Sequence, residues 1–354
     1  MKVVEILGGL GSQMFKYAFY EGVKEKCSDE VYIDTSSYFF RNIWNGYELK
    51  KIFGVDAPDI WNEKMAPKTD RGIYQITDYR KYAYLCLREM GKAKNVTYFS
   101  EGRESVDNIN KFLLSDFGPY KTIISAYGKI KNMGKSVALD TEEMSAEKSN
   151  GLPIETRAGS CYPDNYLAHD NAMYDECDLQ DETYFGDKNR LKKIFTFPEW
   201  DDSDIDRKNK RIAEQMLSEE SVAIHIRRGD HMYDNKDLFY KYFSDSVKYI
   251  LENVHDKKVH FYIFSDEPVW CQENSHVLGF TEHRQENDRY MLTFISHNDG
   301  KNSYKDMQLM TCCKHNIIPC STFSWWGAFL SKFSDDEKIV IAPKGYWPTV
   351  KVHL

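Results

Sequence analysis

The sequence predicts an α/β chain of two domains, each a parallel sheet covered by helices. Three observations carry this. Its 354 residues exceed what one core of roughly 250 to 300 residues holds. In the second half, short apolar runs alternate with amphipathic helical stretches, as parallel strands alternate with crossover helices. One type of corner, an apolar run that breaks into polar residues before a helical pattern, occurs three times.

Residues 2–7 read as the first strand, which opens into Gly8-Gly9-Leu10-Gly11-Ser12-Gln13. A helix over 13–26 follows, with Met14, Phe15, Ala18, Phe19 and Val23 at helical spacing as its packing face. A strand at 31–34 and helices near 80–90 and 105–115 complete the first half. Residues 140–205 are acidic and irregular, suited to surface loops around a cleft. The second half starts with an amphipathic helix over 206–218. Strands then fall at 221–226, 259–264, 315–319 and 338–342, with helices at 238–251, 305–312 and 324–332 between them. The domains are thus 1–205 and 206–354.

The chemistry sits at the corners. Ser221-Val222-Ala223-Ile224-His225-Ile226 ends in Arg227-Arg228-Gly229-Asp230, and Asn316-Ile317-Ile318-Pro319-Cys320 leads through Ser321-Thr322-Phe323-Ser324 into a helix with Trp325 and Trp326. Hydroxyls and free N–H groups at a helix N-terminus bind anions, and an arginine fork grips phosphate oxygens in pairs. The two segments together read as a diphosphate site; alone, the first reads equally as a turn with solvated charges, and the Trp-Trp pair reads more often as core than as site. The glycines of the first loop permit positive φ and close backbone approach. With Met14 in place of a third glycine, and no Lys-Ser/Thr ending, the loop is neither a dinucleotide fingerprint nor a P-loop.

Composition narrows the class. Against 47 basic residues stand 55 acidic ones, a net charge of −8 that excludes a general nucleic-acid partner. No apolar run reaches about 18 residues and the chain opens on a strand, so a cytoplasmic location is expected. Eight cysteines form no Cys-x-x-Cys pair and are read as reduced, with Cys312 and Cys313 as buried apolar residues. Asp202-Ser203-Asp204 matches an Asp-x-Asp metal signature, but it lies in a charged stretch before a helix. There Asp204 or Asp206 reads as an N-cap.

Taken in order, Gly-Gly-Leu-Gly-Ser-Gln-Met-Phe (8–15), His-Ile-Arg-Arg-Gly-Asp (225–230), Cys-Lys-His-Asn-Ile-Ile (313–318) and Ser-Thr-Phe-Ser-Trp-Trp-Gly-Ala (321–328) resemble the bacterial α-1,2-fucosyltransferases. Lesser matches at Gly46-Tyr47-Glu48-Leu49, 261–266, 304–310 and 338–343 extend the resemblance over nearly the whole chain. It implies a GT-B type architecture of two facing Rossmann-like domains. It also implies inverting transfer of fucose from GDP-fucose to the 2-hydroxyl of a terminal β-galactoside, with no metal or other cofactor. The donor falls to the second domain and the acceptor to the first. Acceptors carried on lipids would bring peripheral association with the inner membrane face.

By the same resemblance Arg227 contacts the donor diphosphate, with Gly8, Gly9, Gly11, Gln13, Ser321, Thr322, Phe323 and Ser324 completing the cradle. Ser324 is the strongest hydroxyl. His225 and Asp266 fit guanine or ribose contacts, or else a core histidine and a turn-forming aspartate. Asp230 is the first candidate for general base and Glu48 the second, each with a structural alternative. Arg228 either joins the site or forms a structural ion pair. Ser12 stands where the family has Asn, Cys320 stands where it has Asn, and the segment 274–302 is longer and more polar, where acceptor preference would be written.

Overall fold

The computed structural model describes residues 2–35, 38, 44–59, 96–100, 103–107, 166–167, 172–175, 181–228, 236–254, 257–281, 288–344 and 352–353. They fall into two compact units. The first takes Met1–Ile6, Val23–Arg41 and Ala57–Asp178, and the second Leu7–Gly22, Asn42–Asp56 and Leu179–Leu354. A single boundary at 205 is therefore replaced by an interleaved one. The reason is aromatic packing: Trp326 gathers Phe15 at 5.1 Å, Phe195 at 5.0 Å and Phe185 at 5.7 Å between ring centroids.

In the first unit, β1 (Lys2–Glu5), β2 (Val31–Asp34), β3 (Val96–Ser100), β4 (Arg103–Asp107) and β5 (Ala172–Asp175) make one sheet in the order β2-β1-β5-β3-β4. All pairs are parallel except β3 with β4. Two expectations are corrected here. Residues 103–107 are strand where a helix was expected from about 105, because they pair with Val96-Thr97-Tyr98-Phe99, a run of β-formers. β5 lies inside the stretch read as irregular, its four residues too short for a period to show. The helix expected at 80–90 lies outside the described residues.

The second unit contains α1 (Leu10–Lys26, as far as Gly22), α2 (Leu49–Phe53), α3 (Lys188–Ile194), α4 (Asp204–Ser218), β6 (Glu220–Ile226), α5 (Lys236–Asn253) and β7 (Val259–Ser265). After these come α6 (Pro268–Glu273), β8 (Tyr290–Ile295), α7 (Tyr304–Met310), β9 (His315–Ile317), α8 (Thr322–Phe329), β10 (Val340–Ala342) and β11 (Val352–His353). Its sheet runs β11-β10-β9-β6-β7-β8 with every pair parallel. Both faces are buried: Val222, Ile224, Ile226, Phe261 and Ile263 on one side, Ala223, Tyr262 and Phe264 on the other. Each such Ile or Phe contributes on the order of 2 kcal/mol. β8 is not among the expected strands; its six residues lie within 274–302, the segment that stands out in the sequence as long and polar.

The Asp-x-Asp stretch is a helix cap. Ser203, and neither Asp204 nor Asp206, is the N-cap of α4, its hydroxyl accepting from Asp206 N–H at 3.3 Å. Asp201 accepts from Ser203 N–H at 2.8 Å, and Asp206 pairs with Lys305 at 2.6 Å. Among the described residues no cluster of three His, Cys, Asp or Glu is placed to hold a metal ion, and no helix is long and apolar enough to cross a membrane.

A buried polar chain joins α4 to α7. Asn209 donates to Asn298 at 2.8 Å, and Asn298 donates to Asp306 at 2.8 Å. Burial pushes the Asp306 carboxyl from 3.8 up to about 7, against the lowering effect of the Asn298 bond. The folded state then keeps a proton that the unfolded state loses above pH about 4, so stability declines as pH rises towards 7. Asp306→Asn is expected to raise the melting temperature at pH 8 and leave it nearly unchanged at about pH 3.5, below the unfolded-state value. Equal shifts at the two pH values would contradict this origin.

Candidate active site

The sheet order reverses between β6 and β9, since β7 and β8 follow on one side of β6 while β9, β10 and β11 follow on the other. At such a switch point the loops leaving the strand carboxyl ends part and leave a crevice. The end of β6 brings His225 and Arg227 to it, the end of β7 brings Asp266, and the segment after β9 brings Ser321 and the start of α8.

Strand alternation separates the two arginines. His225 shares a face with Ala223, and its ring lies 5.7 Å from that of Phe323 in α8. Arg228 belongs to the opposite face, where its guanidinium lies 3.5 Å from the centroid of Trp270 and 3.1 Å from Glu267. Arg228 backbone N–H donates to Asp266 Oδ1 at 3.0 Å. Arg228 thus takes the structural ion pair. Arg227, half-buried, stays electrostatically coupled to His225.

His225 is 8% exposed and its Nδ1 has no hydrogen-bond partner among the described residues. Burial, then the Arg227 charge, push its pKa down to about 4, with Asp266 opposing, so the ring is neutral at pH 7. Ser321 Oγ is also buried without a partner, and as N-cap it makes no side-chain cap bond to α8. Two orphaned polar atoms cost free energy unless a ligand satisfies them. The first is coupled to the Arg227 charge, and the second is the N-cap at the positive end of an eight-residue helix.

The first loop serves this site as scaffold. Gly8 has φ 107°, which a residue with Cβ would strain. Gly11 lies in α1 against the start of α8: a Cβ there would sit 2.6 Å from Phe323 N and 2.8 Å from Thr322 Oγ1. Trp326 Nε1 donates to Gly11 O at 3.0 Å, and Ser12 Oγ lies 3.5 Å from Thr322 Oγ1. Gln13, fully buried, donates to Gly8 O at 3.0 Å and Gly46 O at 2.9 Å and accepts from Glu48 N–H at 2.9 Å. Its amide is engaged within the protein, which makes it a brace for the loop. Ser324 Oγ is likewise turned inward, donating to Ser321 O at 3.3 Å.

Glu48 belongs to the second unit, where it caps α2 and is buried. Burial raises its pKa, partly offset by Asn45 Nδ2 at 3.3 Å. Gly9 lies under the indole of Trp44: a Cβ there would be 3.7 Å from Trp44 Cδ1. Trp44 and Asn45 escaped the sequence reading, although an aromatic residue before Asn-Gly is a visible signal. Burial pushes the Cys320 thiol up to about 12, which removes it as a nucleophile. Asp230 lies outside the described residues.

Residues 204–348 contain every element of this crevice from β6 to β10, and they match the model of glycosyl transferase family 11. The chain also has curated relatives. Over 171 residues, 46% of this chain and 52% of the relative, the chain is 32% identical to an α-1,2-colitosyltransferase of Escherichia coli. A galactoside α-(1,2)-fucosyltransferase 1 of Homo sapiens is 27% identical over 31% of this chain and 28% of its own. The chain spans about half the length, or less, of these relatives. In backbone it aligns with the fucosyltransferase NodZ from Bradyrhizobium at TM-score 0.48 and 12% identity, covering 95% of each chain.

Proposed function

We infer that the chain is an inverting glycosyltransferase that moves L-fucose from GDP-fucose to the 2-hydroxyl of a terminal β-galactoside without a metal. The observation that carries this is that His225, whose buried Nδ1 has no partner among the described residues and whose pKa the Arg227 charge lowers, has its ring 5.7 Å from that of Phe323 in the first turn of α8, whose N-cap Ser321 Oγ is likewise buried and unpartnered among those residues. A diphosphate fits this arrangement: the guanidinium and helix end offset the charge that grows on the leaving group as the glycosidic bond breaks. Neutral His225 and Asp266 suit the nucleoside. The acceptor O2 forms its bond to the anomeric carbon from the opposite face, and its proton passes to a carboxylate, Asp230 first and Glu48 second. The two α/β units are what a GT-B type enzyme requires, and glycans on lipid carriers at the cytoplasmic membrane face are the acceptors this reading implies.

A colitosyl donor is the second reading, favoured by the name of the E. coli relative. The test is acceptor-dependent release of GDP in EDTA, with lactose or N-acetyllactosamine, from fucosyl, colitosyl and other nucleotide-sugar donors. Release from GDP-fucose that survives EDTA is expected. Faster turnover of the colitosyl donor would transfer the assignment to it, and release from UDP-sugars alone would reject the guanine reading.

A further inference from the structure

Trp44 is the one non-glycine residue with a left-handed backbone among those described, at φ 48°, and its side chain is 57% exposed. A bulky side chain at positive φ is unfavourable, and exposure of an indole adds to the cost. Neither is explained by packing. Both are imposed by the anchoring of the next residues: Asn45 Nδ2 donates to Gly300 O at 3.0 Å and Ser303 Oγ at 3.1 Å, and Gly46 O accepts from buried Gln13 at 2.9 Å. The turn is pinned on both sides and the indole is held outward. Strain maintained by surrounding bonds is a mark of a functional position.

Its neighbours say what the indole meets. The ring lies over Gly9, two residues before Gly11, which packs against Thr322 and Phe323 at the diphosphate cradle. On the other side, the pinning groups Gly300 and Ser303 are polar and stand at the end of the long segment 274–302. A protein partner would require a contiguous apolar patch. A single aromatic plane rimmed by amide, hydroxyl and carbonyl groups fits a pyranose, which has one face of C–H bonds and an edge of hydroxyls.

Resting on the glycosyltransferase reading, we propose that Trp44 is the stacking platform for the terminal galactose of the acceptor and determines acceptor preference. Trp44→Gly and Trp44→Phe separate this from a structural role. Trp44→Gly relieves the backbone, so its melting temperature stays equal or rises, while acceptor KM increases by roughly tenfold and GDP affinity stays within about twofold. Trp44→Phe keeps an aromatic face and stays within about threefold of the wild-type acceptor KM. An unchanged acceptor KM in Trp44→Gly overturns the platform while the transferase reading stands, and so does a rise that comes with a lowered melting temperature. If the wild type transfers no sugar, the transferase reading fails separately. Saturation-transfer NMR with lactose then decides: a signal lost only in Trp44→Gly supports the platform, and equal or absent signals overturn it.

Discussion

Arg227→Ala is expected to lower kcat by about 10²- to 10³-fold, with a smaller loss of GDP affinity and little change in melting temperature. The side chain stands beyond the last residue of β6 and is half-buried, so its removal opens no core cavity. What it removes is positive charge at the crevice. The same charge helps hold His225 near a pKa of about 4, so in Arg227→Ala the histidine titration, followed by NMR, shifts upward. The companion variant is Arg228→Ala. That change strips a guanidinium stacked on Trp270 and paired with Glu267, and it is expected to lower the melting temperature with only a modest effect on rate. If Arg228→Ala loses the hundredfold and Arg227→Ala does not, the roles are reversed.

Gly11→Ala is the second large effect, and it acts at a distance from any ligand. The new methyl would lie 2.6 Å from both Phe323 N and Thr322 C. These are backbone atoms of the first turn of α8, so relief requires the helix start to move, and overpacking of this kind costs about 1 to 3 kcal/mol. The move also disturbs the buried bond from Trp326 Nε1 to Gly11 O. GDP affinity is expected to fall by more than roughly tenfold, alongside a lower melting temperature. Gly54→Ala is the control. It sits at φ 65° with nothing within 4 Å of an added Cβ, so it bears only a backbone cost of about 1 to 2 kcal/mol and leaves GDP binding intact. Equal GDP affinity in Gly11→Ala and wild type would show that the position of α8 does not set the donor site.

Much of the second unit was legible because its signals are local. Val222, Ile224 and Ile226 alternate with Ala223 and His225, and the run breaks at two arginines, so strand, terminus and chemistry can be read within ten residues. The first unit was less so. Its β5 is four residues long and inserts between β1 and β3, a pairing across more than 160 residues of sequence that no short period announces. β8 was hidden differently: its apolar run was visible, but the polar residues around it weighed more in the reading than the six that pair with β7.

The sequence by itself determined the α/β class, the three corners and the residue types gathered at them, because these follow from side-chain periodicity and from what glycine, arginine and hydroxyl groups can do. Tertiary structure alone decided which arginine faces His225, why Gly11 must lack a side chain, and that Gln13 and Ser324 turn inward while Trp44 is held out. Each of those depends on a contact between distant segments, as between Ser12 and Thr322, 310 residues apart. Such contacts are set by the packing of whole elements, and local propensity carries no record of them.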